Sequence, residues 1–85
     1  MDDKKTIYSN GSYIITKNKK IHCDYGPAWI TPWSILWYLD GKAIKQHEWA
    51  KMTKTPKDKM KKIIEEARKY QKMILIEYEL QRIIK

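Results

Sequence analysis

The sequence predicts an α+β fold in which a small antiparallel β-meander precedes a short helix and a long C-terminal helix. Two turn-forming pairs, Asn10-Gly11 and Asp40-Gly41, each separate short runs rich in apolar residues, a pattern typical of β-hairpins. After Pro56 no glycine or proline interrupts the chain, and apolar residues recur at helical spacing. With 85 residues, we expect one domain (1–85), with the meander at 6–44 and helices at 45–52 and 56–84.

The predicted meander consists of two hairpins around a tryptophan-rich centre. Asn10-Gly11 readily adopts positive φ, which predicts a type I′ turn between strands at 6–9 and 12–16, with residues 1–5 frayed. Asp40-Gly41 predicts the second hairpin. Residues 28–42 hold tryptophans at 29, 33 and 37, and no other stretch can bury as much apolar area. We therefore expect these tryptophans to form the core rather than a surface that stacks on bases.

The two helices follow from local signals. In the short helix, Trp49 and Met52 share a side and are expected to point inward. For the long helix, Thr55 is a candidate N-cap, Pro56 suits the first position, and Asp58 is placed to form a capping box with Thr55.

The long helix carries two apolar stripes on nearly opposite sides. The first stripe, which we expect to pack on the sheet, is Met60, Ile63, Ile64, Ala67, Tyr70, Ile74 and Tyr78. The second, here called the C-terminal stripe, is Met73, Ile76, Leu80, Ile83 and Ile84. A helix that is apolar on two sides is generally buried on two sides. We therefore expect the C-terminal stripe to form a homodimer; the alternative is that the last turns fold back or fray.

The charge balance indicates a polyanionic partner. Eighteen basic residues against ten acidic ones give a net charge of +8, which favours nucleic acid, an acidic protein or an anionic membrane surface. Only Arg68 and Arg82 are arginines. Lysine is a hydrated point charge, whereas arginine carries the planar fork that reads base edges, so the composition predicts contact with the backbone. A lysine-rich solvated surface is the plain alternative.

The basic residues cluster in the second half of the chain. The candidate nucleic-acid-binding residues are Lys17, Lys19, Lys20, Lys51, Lys54, Lys57, Lys61, Lys62, Arg68, Lys69 and Lys72. Glu65 and Glu66 interrupt this patch. Exposed tyrosines, with Tyr8 and Tyr25 as candidates, can stack on unpaired bases, although most tyrosines of a small domain belong to its core.

Other classes of function have little support in the sequence. Within His22-Cys23-Asp24, neighbours along a strand point to opposite faces, so the three residues do not form a catalytic set. The single cysteine cannot form an internal disulfide or a multi-cysteine zinc site, and neither histidine has a metal-ligand spacing. We expect no enzyme activity, no metal and no cofactor. A reduced cysteine and the lack of any long apolar segment suggest a cytoplasmic protein without a membrane partner.

Two parts of the sequence resemble a known family. The run His22-x-x-x-Gly26-Pro27-Ala28, followed by Trp37-Tyr38-Leu39-Asp40-Gly41-Lys42, is similar to the MORN-like β-hairpin repeat of phage and bacterial proteins. The resemblance covers about a quarter of the chain in a single copy, and Cys23 and Tyr25 depart from the usual pattern. It implies a β-meander and a phage origin, and no particular activity.

Size, charge and architecture together also resemble the phage-encoded inhibitors of the ToxN RNase toxin, without a shared motif. This resemblance implies a non-catalytic RNA-binding counter-defence protein that traps a host toxin in an inactive ribonucleoprotein. The alternative is a phage inhibitor that binds an acidic host protein directly, with lysines steering the encounter. A third possibility is a structural module whose helix assembles into a bundle.

Overall fold

The computed structural model describes residues 3–84, with the side chains of residues 3–83, and has the predicted α+β fold. Its elements are β1 (Asp3–Ile7), β2 (Tyr13–Lys17), β3 (Lys20–Ile21), β4 (Trp29–Ile30), β5 (Ile35–Leu39), β6 (Lys42–Ile44), α1 (Gln46–Met52) and α2 (Lys57–Ile84). The strands pair in the order β1-β2-β4-β5-β6, with β3 attached to β2. Every pairing is antiparallel.

The first hairpin differs from the prediction in both length and turn type. β1 starts at Asp3, which pairs with Lys17, so residues 3–5 form an edge strand and are not frayed; residues 1 and 2 lie outside the described residues. Only Gly11 of the turn pair has positive φ. The Gly11 N–H donates to the Tyr8 carbonyl (2.9 Å) and the Tyr8 N–H to that of Ser12 (2.8 Å). A type I′ turn needs positive φ at both central residues, so that prediction is wrong here.

Positive φ at two successive residues occurs in two other turns. Asn18 (52°) and Lys19 (67°) join β2 to β3, a connection for which the sequence predicts only a polar turn. Asp40 (50°) and Gly41 (82°) join β5 to β6, as predicted. The two turns lie at the same end of the sheet, where the Gly41 N–H donates to the Ile21 carbonyl (2.8 Å).

The first apolar stripe of α2 packs on the sheet, and that prediction is confirmed. Met60, Ala67 and Ile74 are buried, and the remaining members of the stripe are half-buried. α2 begins beside Trp37 and ends its contacts with the sheet near the β1–β2 turn, where Ile74 packs on Gly11. The Tyr70 hydroxyl donates to the Gly11 carbonyl (2.6 Å) at the same place. A rod of 28 residues, about 42 Å long, therefore crosses one face of the sheet.

The start signals of the helices are only partly realised. Trp49 is fully buried as predicted, but Met52 is 62% exposed, because it is the last residue of α1 and Trp49 is the residue that this helix buries. The Thr55 hydroxyl pairs with that of Thr53 (2.6 Å), and its N–H donates to the Ala50 carbonyl (2.9 Å). That N–H is therefore not available to Asp58, and the predicted capping box does not form.

The tryptophans divide between the core and the surface. Trp37 and Trp49 are buried with their ring centroids 4.7 Å apart, whereas Trp29 is half-buried and Trp33 is 63% exposed. The prediction that all the tryptophans of 28–42 belong to the core is therefore wrong. Trp33 lies in a turn closed by the Thr31 N–H and the Ser34 carbonyl (2.9 Å), and β5 begins only at Ile35. Trp33 therefore lies outside the strand, and the alternation of side chains between the two faces of β5, which turns Trp37 inward, does not apply to it.

Candidate nucleic-acid interface

The basic residues of α2 occupy the side of the helix that faces away from the sheet and one adjoining flank. Lys57, Lys61, Arg68 and Lys72 are separated by four, seven and four residues, which places them along one flank. Lys62 and Lys69 lie on the outward side, next to this flank. All six are exposed because Met60, Ala67 and Ile74 direct the opposite side of the helix into the core. These six residues form one exposed surface of α2, here called the basic flank.

No cation of the basic flank lies within 4.0 Å of a carboxylate oxygen in the described part of the chain. Among the described residues, the one pair within 4.0 Å is His22 with Asp40, at 3.7 Å. Glu65 and Glu66 do lie within the lysine cluster and line a shallow surface depression together with Lys62, Lys69 and Lys72. These carboxylates lower the local positive potential but leave every ammonium group free to contact a phosphate.

The remaining candidate lysines lie on other elements. Lys17, Lys19 and Lys20 surround the β2–β3 turn, and the Lys20 side chain packs beside Gly41. Because α2 runs from beside Trp37 towards the opposite end of the sheet, this turn lies at the end from which α2 starts. Lys51 and Lys54 are exposed on α1 and on the connection that follows it. The structure thus divides the predicted lysines among three regions, which are the β2–β3 turn, α1 with the connection after it, and α2, rather than placing them in one row.

The C-terminal stripe continues the outward side of α2. Met73, Ile76 and Leu80 are about half exposed, and Ile83 is 79% exposed; the side chain of Ile84 lies outside the described residues. Their spacing of three, four and three residues matches the a and d positions of a coiled coil. The outward side of α2 is therefore charged along its first half and apolar along its last turns.

The aromatic surface is the part of the molecule that sequence reasoning missed. Tyr8 (49%) and Tyr25 (57%) are exposed, as stacking on bases requires, and Trp33 is more exposed than either. Tyr8, Trp29 and Trp33 line one groove on the sheet face opposite the helices. The one local signal for this arrangement is that successive residues of a strand point to opposite faces of the sheet. Ile30 is buried against α2, so the side chain of Trp29 faces the other way.

The residues of the motif that resembles the MORN-like repeat contact one another in the structure. His22 Nδ1 accepts a hydrogen bond from the Asp40 N–H (2.9 Å), and the Cys23 N–H donates to the Tyr38 carbonyl (3.1 Å). Gly26, Pro27 and Ala28 are all buried beside them. The motif therefore ties the segment before β4 to the β5–β6 hairpin.

The perturbed titrating groups also have structural explanations. Burial raises the pKa of the Cys23 thiol, which is only 1% exposed, so the thiol is held in its less nucleophilic protonated form. Burial likewise raises the pKa of Tyr13 to about 12. The Tyr13 ring packs edge-on against Tyr70 and lies 4.2 Å from the Lys5 ammonium, measured to its centroid.

Three further observations bear on the kind of site. Within residues 3–83 no three His, Cys, Asp or Glu side chains come close enough together to hold a metal ion. Neither α1 nor α2 combines the length and apolar character that crossing a membrane requires. Comparisons with protein-family models, with curated proteins and with solved structures find no match to this chain.

Proposed function

We propose that this protein is a non-catalytic RNA-binding protein that acts in the cytoplasm of a phage-infected bacterium. In this proposal it counters host defence by neutralising a toxin–antitoxin RNase, through an inactive ribonucleoprotein that contains the toxin and RNA. RNA binding is supported by one observation above all, the exposed and unpaired cations of the basic flank. The toxin as target rests on the resemblance to phage inhibitors alone.

Lysines without carboxylate partners suit binding to the nucleic-acid backbone. Each phosphate that a lysine neutralises releases condensed counterions, so affinity is high at low salt and falls steeply as salt is added. The excess of lysine over arginine favours contacts that ignore sequence, because an ammonium group does not make the paired hydrogen bonds by which a guanidinium reads guanine.

Removing charge from the basic flank is expected to weaken RNA binding more than removing the same charge elsewhere. The variant Lys61→Gln/Arg68→Gln/Lys72→Gln should bind a single-stranded RNA at least about tenfold more weakly at low salt. Its plot of log affinity against log salt should be shallower by about two, since each lost phosphate contact removes about 0.7 from the slope. Fluorescence anisotropy over a salt series measures both quantities.

The matched control removes three charges from other exposed positions. Lys42→Gln/Lys45→Gln/Lys59→Gln has the same net charge as the first variant, and its three lysines lie off the basic flank. We expect its affinity to stay within about threefold of the parent. Equal losses in the two variants would show that net charge, and not the basic flank, is responsible.

The target is tested by removing the RNA. A complex of this protein with a purified toxin RNase should dissociate, and the toxin should recover activity, after complete digestion of the bound RNA by an added nuclease. A complex that survives full digestion would instead support direct binding to a host protein.

We also propose that the C-terminal stripe joins two copies of the chain. Three apolar side chains about half exposed, and a fourth at 79%, at a and d spacing present a seam that a second identical helix can cover. Leu80→Glu is expected to convert a dimer into a monomer in light scattering, because it places a charge in that seam. Met52→Glu, at another exposed apolar position, should leave the mass unchanged; a monomeric parent protein would refute the dimer.

A further inference from the structure

The face of the sheet opposite the helices carries a row of uncovered side chains. Thr6, Ile14, Trp29 and Leu36 stand opposite one another on β1, β2, β4 and β5. α1 and α2 both pack on the other face, through residues such as Ile30 and Trp37. All four members of the row remain half-buried, so this face is open to a ligand.

One end of this face forms a groove with aromatic walls. Tyr8, Trp29 and Trp33 line it, together with the polar residues Ser9, Asn10, Ser12 and Thr31. The groove is an open depression of about 430 Å³. It lies between the β1–β2 turn and the turn before β5, which meet at this end of the sheet because β2 and β4 are antiparallel.

The walls of the groove are held in place by hydrogen bonds and ring contacts. The Thr31 hydroxyl accepts hydrogen bonds from the N–H groups of Trp33 (3.1 Å) and Ser34 (2.9 Å). The Trp33 ring stands edge-on to Tyr78 of α2, with centroids 5.1 Å apart. Trp33 is thus both exposed and fixed, which lowers the entropy lost when a flat ligand stacks on it.

One of the residues that line the groove, Ser12, carries a polar group without a partner in the described part of the chain. Ser12 is 4% exposed, and its buried hydroxyl oxygen has no hydrogen-bond partner among the described residues. A buried hydroxyl that lacks a partner costs free energy, which a ligand recovers if it presents a donor or acceptor there. Ser12 therefore favours a ligand that is flat and apolar on its faces and polar at its edges.

Cations lie farther along the same face. Lys4 and Lys19 line a second depression with Thr6, Thr16 and Asn18. Thr16 is four residues beyond Ser12 on β2, a distance of about 13 Å. A chain of phosphates that leaves the groove along β2 would therefore reach two ammonium groups.

We propose that this groove, lined by Tyr8, Trp29, Trp33 and Ser12, binds an unpaired base of RNA, while phosphates farther along the same strand contact Lys4 and Lys19. The inference rests on the proposed RNA binding and adds to it a preference for single strands. Every base has an aromatic face for Trp33 and polar edges for Ser12, so stacking here is tolerant of sequence. A base within a duplex is stacked on its neighbours and cannot enter.

The test compares an unpaired RNA of about ten nucleotides with a duplex of the same length. Trp33→Ala should weaken binding of the unpaired RNA by about 5- to 150-fold, the effect of losing one stacked base, and change duplex binding less than about twofold. The salt slope should stay that of the parent, since no phosphate contact is lost. Trp33→Phe keeps an aromatic face and should retain most of the affinity.

The control is Met52→Ala, which removes an apolar side chain of similar exposure (62% against 63% for Trp33) outside the groove and should bind like the parent. Circular dichroism of each variant verifies its fold. If the parent binds unpaired RNA but Trp33→Ala binds it equally well, the groove is not the base site and the basic flank still accounts for binding. If the parent binds neither RNA, the proposed function and this inference both fail.

Discussion

Replacing Trp49 by alanine is expected to lower the free energy of unfolding by about 3–5 kcal/mol, the usual cost of truncating a fully buried large aromatic. A small domain has about 5–15 kcal/mol of stability in total, so this loss would remove a large share of it. α1 has only seven residues and is far too short to be stable alone, so its place depends on this side chain.

The expected effect is large because Trp49 joins three parts of the molecule. It is 0% exposed, its ring centroid lies 4.7 Å from that of Trp37 on β5, and Met60 of α2 belongs to the same cluster. Its indole N–H donates to the Cys23 carbonyl (2.9 Å). Removal therefore leaves both a cavity and a buried carbonyl without its donor.

Trp49→Phe separates these two losses. Phenylalanine fills most of the space but cannot donate a hydrogen bond. The loss in the free energy of unfolding should therefore be close to that of leaving one buried acceptor unsatisfied, about 1–3 kcal/mol. Urea unfolding followed by circular dichroism measures both variants. A loss below about 1 kcal/mol for Trp49→Ala would mean that Trp49 is not a central contact of the core.

Replacing Gly11 by alanine is expected to cost about 2–5 kcal/mol, from two causes that act together. Gly11 has φ of +89°, which disfavours any side chain by about 1–2 kcal/mol. An added Cβ would also lie 2.6 Å from Ile74 Cγ2 and 2.9 Å from Ile74 Cβ, and overpacking of this kind costs about 1–3 kcal/mol. The overlap between this Cβ and Ile74 is relieved only if α2 moves away from the sheet.

The other two glycines are matched controls for Gly11→Ala. Gly41 has a similar φ of +82° but only ordinary contacts with Lys20, the nearest at 3.7 Å, so Gly41→Ala should show the backbone strain alone. Gly26 has no positive φ, and its nearest neighbour is 3.9 Å away, so Gly26→Ala should change stability least. Urea midpoints that rank the three variants in any other order would contradict this account of the contact between Gly11 and α2.

The contact at Gly11 also bears on the proposed function. Ile74 and the Tyr70 hydroxyl bind α2 to the β1–β2 turn, which in turn carries Tyr8 and Ser12 of the groove. A displaced α2 would also release Tyr78 from Trp33. Gly11→Ala is therefore expected to weaken binding of unpaired RNA more than its loss of stability alone accounts for.

Features with a local or periodic cause were predictable from residue order. The Asp40-Gly41 turn follows from two residues that tolerate positive φ. The extent of α2 and its inward stripe follow from an uninterrupted helical period, and the exposure of the basic flank follows from the same period. Each of these features depends on residues within a few positions of one another, so it can be predicted from the sequence.

Features that depend on distant contacts were predicted wrongly or not at all. β1 begins at Asp3 because β2 extends to Lys17, which pairs with Asp3. Residues 3–5 carry no local signal that predicts this strand. Met52 has helical spacing from Trp49, yet its side chain remains exposed. Trp33 is exposed because a hydrogen-bonded turn at Thr31–Ser34 interrupts the strand pattern before β5.

Residue order alone therefore specifies an α+β chain with a strongly basic, partly apolar helix, since composition and period are properties of the sequence itself. The aromatic groove was decided by the packing of the folded chain. Tyr8 and Trp33 are separated by 25 positions and meet only because β2 pairs with β4 and α2 supports both turns. Which large side chains remain exposed depends on what covers them, and that is a property of the tertiary structure.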